Sequence, residues 1–135
     1  MKKRVHAFTL IEVMVVVVIL AVLAAVIVPR ILKRPEQARL VAVKQDILEI
    51  QNAMSLYKLD NGFYPSTTQG LQALVTKPTT VPVPLNWSPD GYLKQIPADP
   101  WGDSYHYLQP GKHGSIDIWS DGPANKKEVI GNWGD

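Results

Sequence analysis

The sequence has no cysteine among its 135 residues. Because disulfides and thiolate metal sites need cysteine, both are excluded, and a small domain in an oxidising compartment would have to fold without covalent cross-links. The sequence also lacks three common motifs of enzymes. It has no glycine-rich phosphate-binding loop, no HExxH zinc-binding motif and no G-x-S-x-G motif around a nucleophilic serine. His106 and His113 are expected in a strand and in a turn. The sequence therefore predicts a protein that is not an enzyme.

Basic residues interleaved with aromatic residues are equally absent. The formal net charge is +2 and the pI is about 8.9, but Lys2, Lys3 and Arg4 at the N-terminus account for the basic excess. The other basic residues are scattered, unlike the basic patch of a nucleic-acid groove. Nucleic acid is therefore excluded as a partner. The length allows one modest domain with an anchor.

Residues 8–28 form an apolar run that only Thr9 and Glu12 interrupt. A helix of this length spans roughly 32 Å, which matches a hydrocarbon core of about 30 Å. The run is longer than the ~7–15 residues of an ordinary secretory signal, and its small-residue junction, between Ala7 and Phe8, lies before the run. We therefore predict a transmembrane helix that cleavage would leave attached. Basic residues flank both ends, so the positive-inside rule gives little preference for an N-in orientation.

Glu12 places a carboxylate inside this run. A charge in hydrocarbon is costly and needs a partner, although a side chain reaching back to the interface is the simpler alternative. Cleavage between Ala7 and Phe8 would create an α-amino group on Phe8, four residues before Glu12 and on the same face of a helix. That amine could pair with Glu12 of its own chain or of a neighbouring chain.

The segment "KKRVHA" followed by "FTLIEVMVVVVILAVLAAVIVP" resembles the N-terminus of type IV pilins and pseudopilins. The resemblance implies that residues 1–7 are a class III leader, which prepilin peptidase removes between Ala7 and Phe8. It also implies N-methylation of Phe8 and a role for Glu12 in guiding subunit addition. Ala7 departs from the family, which usually has glycine before the cut.

Two prolines, Pro29 and Pro35, follow the apolar run. Proline inside a helix removes a hydrogen bond and clashes with the preceding turn, so we predict a kinked amphipathic continuation over residues 29–59. The alternative is a helix that ends and restarts with Pro35 in its first turn. Apolar residues at helical spacing form one stripe. They are Leu40, Val43, Ile47, Ile50, Met54 and Tyr57.

Residues 60–135 are predicted to form a loop-rich head domain. Ser66 and Gln69 have the spacing of a capping box and predict a short helix, and residues 79–89, with three prolines, are expected to be irregular. We predict an edge strand at 91–94 and a hairpin from the alternating segments 104–109 and 115–120. The predicted fold class is α+β, type IV pilin-like, with a long helix on a small antiparallel sheet of about three strands.

Three further segments, "MSLYKLDNGFYPSTTQGLQALV", "GYLKQIPADPWGDSYHYLQPGKHGSIDIWSDGP" and "IGNW", resemble the major pseudopilins of type II secretion systems. This resemblance implies a structural subunit of a periplasmic pseudopilus. The subunit would polymerise through its N-terminal helix and drive export of folded proteins across the outer membrane. The alternatives are a type IV pilin for adhesion or motility, which usually closes a C-terminal loop with a disulfide, and, more remotely, a membrane-tethered periplasmic hydrolase.

The resemblance also implies location and partners. The chain would cross the inner membrane of a Gram-negative bacterium once, N-in, with the head in the periplasm. Its partners would be further copies of itself, minor pseudopilins, prepilin peptidase, the inner-membrane assembly platform with its cytoplasmic ATPase, the outer-membrane secretin and exported proteins.

In that family the loop after the "DIWS"-like strand is acid-rich and binds calcium. Here Asp121, Asn125 and Glu128 could supply oxygens, but Lys126 and Lys127 oppose a divalent cation. We therefore expect that no cofactor is required, calcium included. Either lysine could instead pair with Asp121 or Glu128, and packing of two nearby tryptophans, Trp119 and Trp133, is expected to hold the loop.

Overall fold

The computed structural model describes residues 7–126 and 128–134, and within the long helix it leaves the side chains of residues 27–34 undescribed. The predicted leader therefore lies outside the described residues, apart from Ala7. The chain divides into two compact units, Met1–Ala38 and Arg39–Asp135. The elements in chain order are α1 (Leu10–Asn61), a 3-10 helix η1 (Leu71–Leu74), β1 (His106–Leu108), β2 (Asp117–Ser120) and β3 (Ile130–Gly131).

The helix α1 continues without interruption through Pro29 and Pro35. The alternative in which the helix ends and restarts at Pro35 is therefore wrong, and the kink at these prolines stays a prediction. Among the described residues, no helical stretch is both long and apolar enough to cross a membrane. Residues 27 and 28 of the predicted span are among those whose side chains are not described.

The second half of α1 carries the core stripe of the head domain. The side chains predicted for this stripe are buried, except that Leu40 is only half-buried. The helix ends at Asn61, two residues beyond the predicted end, because Gly62 adopts a φ of 83° and its N–H donates to the Lys58 carbonyl at 2.7 Å. A glycine in the left-handed region just after the last turn is a common helix terminator.

The sheet has three antiparallel strands in the order β1, β2, β3. His106 lies opposite Trp119, and Ile130 lies opposite Ser120. The predicted hairpin between β1 and β2 is thus confirmed, with strands shorter than the alternating segments.

The edge strand predicted at 91–94 is wrong. The backbone N–H groups of Tyr92 and Leu93 both donate to the Leu74 carbonyl, at 2.8 and 3.1 Å. This segment therefore satisfies the C-terminal end of η1 and is not part of the sheet. The third strand is β3, which is only two residues long and contains a glycine, so periodicity did not reveal it.

The prediction of a short α-helix that begins after Ser66 is also wrong. The capping box itself forms, because the Gln69 N–H donates to the Ser66 hydroxyl at 3.1 Å and the Ser66 N–H donates to Gln69 Oε1 at 3.0 Å. It closes a turn instead of starting an α-helix, because Gly70 follows with a φ of 65°. The chain then continues as the single-turn η1.

The head has one core between α1, η1 and the sheet. Two tyrosines fasten its elements: the Tyr105 hydroxyl donates to Asp46 Oδ2 on α1, and the Tyr107 hydroxyl donates to the Pro65 carbonyl, both at 2.7 Å. Burial raises the pKa of both phenols well above their ordinary value, so both remain hydrogen-bond donors. The core cluster also includes, outside α1, Leu71, Ala73, Leu74, Ile116 and Ile118.

Candidate functional site

The start of α1 brings Thr9 and Glu12 together. The helix begins at Leu10, and the backbone N–H of Glu12 donates to the Thr9 hydroxyl at 3.3 Å. Thr9 thus serves as an N-cap, and Glu12 lies in the first turn, where the helix dipole favours a carboxylate. Phe8 precedes the helix in the uncut chain, and the shared face of Phe8 and Glu12 after cleavage stays a prediction.

The apolar segment after this cap is uncovered. Phe8 and Leu10 are each 80% exposed, and every side chain from Ala7 to Val26 is exposed. An apolar surface of this extent marks an interaction site for protein or membrane. The exposure of Ala7 and Phe8 also leaves the predicted cleavage junction accessible.

A second notable cluster lies at the C-terminal end of the head and begins with His106. Its Nε2 is 2.7 Å from Asp121 Oδ2, which joins the first strand to the loop after the second. The imidazole of His106 also stacks on the indole of Trp119, with 5.3 Å between ring centroids and 25° between planes.

The same arrangement repeats at His113. Its Nδ1 lies 2.9 Å from Asp117 Oδ2, and its ring stacks on Trp133 at a centroid distance of 4.0 Å. The predicted packing of Trp119 with Trp133 is present, at 6.2 Å and 54°. The four rings of His106, Trp119, Trp133 and His113 therefore form a continuous group, here called the C-terminal stack.

Asp117 is the buried anchor of the loop before β2. Burial raises the pKa of its carboxyl, but the hydrogen bonds from the His113 ring and from the backbone N–H groups of Lys112 and His113 outweigh that effect. The net result is a pKa below the ordinary value for aspartate. The carboxylate is therefore charged and fully engaged at neutral pH.

Asn132 fixes the C-terminal segment to β2. Its backbone N–H donates to the Ile118 carbonyl, its Oδ1 accepts the Ile118 N–H, and its Nδ2 donates to the Ile116 carbonyl, each at 3.0 Å. These bonds continue the sheet beyond the two residues of β3. They place Trp133, the next residue, in the C-terminal stack.

The "DPWGDSY" segment forms a buried support for the loop after β2. Asp99 Oδ1 accepts the N–H groups of Trp101 and Asp103 at 3.1 and 2.8 Å. Its other oxygen accepts the Ser120 hydroxyl at 2.7 Å, and the Ser120 oxygen accepts the Gly122 N–H at 3.1 Å. Sequence reasoning singled out this motif only as a family marker. An aspartate just before a Pro-x-Gly turn was the available signal for its structural role.

The loop after β2 contains the three residues considered as possible calcium ligands. Asp121 is engaged with His106, whereas Asn125 and Glu128 are exposed. Among the described residues, no group of three or more histidine, aspartate or glutamate side chains could hold a metal ion. Calcium takes six to eight oxygen ligands, so these three side chains alone would not complete a site, and the expectation that calcium is not required stays a prediction.

Asp121 is one of the two acids predicted to pair with Lys126 or Lys127, and its carboxylate contacts His106. Among the described residues, the Asp121 carboxylate is hydrogen-bonded to His106, whereas Lys126 is exposed and its backbone N–H donates to the Pro123 carbonyl at 3.1 Å. The reason is topological: β1 places His106 beside Trp119, two residues before Asp121. Lys127 lies outside the described residues.

Two family models match the chain. Residues 30–135 match "Type II secretion system (T2SS), protein G", and residues 2–28 match "Prokaryotic N-terminal methylation motif". The type II secretion system core protein G of Pseudomonas aeruginosa is 51% identical, with 98% of this chain and 97% of that protein covered. That of Escherichia coli K12 is 45% identical, with 96% and 91% covered.

The chain belongs to the type II secretion system protein G family. The crystal structure of the major pseudopilin from enterohaemorrhagic Escherichia coli matches with a TM-score of 0.68 and 43% identity, over 76% of this chain and 92% of that chain. The predicted family and the α+β pseudopilin fold are confirmed. As a pseudopilin of this family, the chain is a structural subunit of a pseudopilus, and the pilin alternative for adhesion or motility is set aside.

Proposed function

We propose that this pseudopilin polymerises through the apolar half of α1 and that growth of the filament drives folded proteins across the outer membrane. The exposure of every side chain from Ala7 to Val26 carries the proposal. In a homopolymer, bundled copies of this segment would cover that apolar surface. The head domain, by contrast, has a buried core of its own and can fold before assembly.

Maturation precedes polymerisation in this proposal. Prepilin peptidase removes residues 1–7 by cutting between Ala7 and Phe8, and the new amino group of Phe8 is methylated. The match of the methylation motif to residues 2–28 supports this step. The exposure of both residues at the junction is consistent with access by a peptidase.

Glu12 acts as the assembly residue. After cleavage, an α-amino group stands near the carboxylate, and a neighbouring copy presents an identical pair. Because the uncut chain holds Phe8 outside the helix, the arrangement favours pairing of Glu12 with the terminus of a neighbouring chain. Such a pair removes an isolated charge from an apolar bundle and fixes the register of two copies.

Before assembly the subunit crosses the inner membrane once through residues 8–28, with its N-terminus in the cytoplasm and its head in the periplasm. Its partners are minor pseudopilins, the inner-membrane platform with its ATPase, and the secretin, with exported proteins in transient contact. We further propose that it has no enzymatic activity. It also requires no calcium, because the C-terminal stack and Asp99 hold the loop.

The decisive experiment combines mass and filament formation in one preparation. The chain is produced with a type II secretion apparatus, and filaments are isolated and examined by electron microscopy and intact mass spectrometry. We expect filaments whose subunits begin at methylated Phe8. Normal filaments of chains that still begin at Met1 would overturn the proposal.

A further inference from the structure

The proline-rich segment after η1 presents an ordered row of exposed aliphatic side chains. Val81 and Leu85 are each 86% exposed and Val83 is 41% exposed, whereas Pro84 between them is fully buried. The backbone bends at residues 81–82 and 85–86, and the three aliphatic side chains are exposed around the buried proline. We call Val81, Val83 and Leu85 the apolar ridge.

Side-chain hydrogen bonds hold this segment at both ends. Gln69 Nε2 donates to the carbonyls of Thr80 and Pro82 at 2.8 and 3.0 Å. At the other end, the Asn86 N–H donates to Asn61 Oδ1 at 2.9 Å, and the Trp87 indole donates to the Ala73 carbonyl at 2.9 Å. A ridge held in this way loses little conformational entropy on binding.

The two prolines that alternate with the residues of the apolar ridge restrict how this segment can bind. Pro82 and Pro84 have no N–H group, so the segment cannot extend a sheet along that edge. Its side chains must therefore make the contact. Exposed aliphatic groups in a contiguous row mark such a site.

A groove elsewhere on the head has matching chemistry. It lies between residues 45–56 of α1 and the segment of Tyr92 and Leu93, and has a volume of about 490 Å³. Its lining combines leucines with neutral amides and has one charged side chain. These lining residues are Leu48, Leu56, Leu93, Gln45, Asn52 and Glu49.

We propose that the apolar ridge of one subunit packs into this groove on a second copy of the same chain. The inference rests on the proposed polymerisation. A filament that does not close needs contacts between two different patches of the same molecule, and the ridge and the groove are such a pair. Neither presents a row of charges, so their contact would not bury a set of unpaired ions.

The proposal fixes the register of the two copies. Asn86 holds the end of the ridge beside Asn61 in the last turn of α1, whereas Asn52 lies in the middle of the groove. At 1.5 Å per residue, these positions differ by about 14 Å along the helix. Two contacting heads are therefore offset by roughly that distance along α1.

The absence of cysteine permits a direct test. Two differently tagged full-length copies are produced together, one with Leu85→Cys and the other with Asn52→Cys, and filaments are oxidised and separated without reductant. We expect a disulfide-linked pair carrying both tags, at least tenfold more abundant than two controls. The first control has Leu85→Cys on both copies, and the second combines Leu85→Cys with Val129→Cys, which is exposed and outside both surfaces.

A charge substitution gives an independent result. Leu85→Glu should lower filament yield at least tenfold, whereas Val129→Glu should leave the yield unchanged. Filaments of the unsubstituted chain together with a Leu85–Asn52 link no stronger than the controls would overturn the inference, as would normal assembly of Leu85→Glu. Both results leave the proposed function intact. If the unsubstituted chain forms no filaments, the proposed function and the inference both fail.

Discussion

The imidazole of His113 lies nearly parallel to the indole of Trp133, with 4.0 Å between ring centroids and 13° between planes. His113 precedes β2 and Trp133 follows β3, so this contact closes the C-terminal segment over the hairpin. Hydrogen bonds from Asn132 hold the same segment from the side. These contacts hold the C-terminal end of the loop after β2, and the hydrogen bond between His106 and Asp121 holds its other end.

From this arrangement we expect calcium to have little effect on stability. A ligand that binds only the folded state stabilises it according to its concentration over its Kd, and the described loop offers few of the six to eight oxygens that calcium takes. The thermal midpoint of the detergent-solubilised full chain should differ by less than about 2 °C between micromolar calcium and chelator. A rise of about ten degrees or more, which corresponds to several kcal/mol, would contradict this.

Gly111 should not tolerate a side chain. A Cβ at this position would lie 2.5 Å from Asp117 Oδ1 and 2.7 Å from the Gly114 carbonyl. Gly111→Ala therefore has to displace the buried carboxylate or the backbone, at a cost of about 1–3 kcal/mol. Denaturant unfolding measures this cost as a lower midpoint.

Gly114 provides the matched control in the same loop. A Cβ there meets nothing within 4 Å, so Gly114→Ala should change the free energy of unfolding by less than about 0.5 kcal/mol. Equal effects of the two substitutions would show that the fit around Asp117 does not limit the loop.

Asp117 should make stability fall in acid. Because its pKa in the folded state is lowered from about 3.9 in the unfolded chain, its contribution is fully present above that pH. The contribution is lost as the pH falls through the lower folded value. Asp117→Asn should cost about 1–3 kcal/mol at pH 7 and flatten the pH dependence of unfolding below pH 4. An unchanged acid limb in this variant would exclude Asp117 as its source.

The sequence predicts those features of the head that local chemistry fixes. The stripe from Val43 to Tyr57 is buried as its spacing requires, and Gly62 ends α1 because it accepts a positive φ. The reciprocal bonds of Ser66 and Gln69 also form as their spacing predicts. The α-helix predicted after this turn is wrong, because Gly70 interrupts the helical path one residue later.

Features that depend on distant partners were not predictable. The segment at 91–94 looks like a strand, but its N–H groups find the free carbonyl of Leu74. The C-terminal stack joins residues from three parts of the chain, and no spacing rule connects His106 or His113 with the tryptophans. His106 reaches Asp121 because strand register, which a single sequence does not reveal, places the two side chains together.

The residue before the cleavage junction should control maturation. Ala7 is small and exposed, and the resemblance to pilins predicts a small residue at this place. Ala7→Leu should leave the leader attached, and intact mass should then show an unshifted precursor. Ala7→Gly is the matched control and should be processed at least as fast as the parent chain. Complete processing of Ala7→Leu would place the specificity elsewhere.

Glu12→Ala should abolish filament formation without affecting maturation. The Thr9 cap uses the backbone N–H of Glu12 and not its carboxylate, so the helix still begins at Leu10 and the leader is still removed. The amino group of Phe8 on the neighbouring chain, however, loses its anionic partner in an apolar bundle, where an unpaired charge costs about 2.5–3.5 kcal/mol. Filament yield should therefore fall more than about tenfold, since tenfold corresponds to 1.4 kcal/mol.

Glu36→Ala is the control for that substitution, because Glu36 is an exposed glutamate on the same helix, beyond the apolar segment. It should assemble normally. Filaments are counted by electron microscopy, and maturation is measured by intact mass in the same samples. Normal filaments from Glu12→Ala would show that the carboxylate acts only at the helix end, where its interaction with the dipole is worth about 0.3–1 kcal/mol, and that apolar packing alone selects the register.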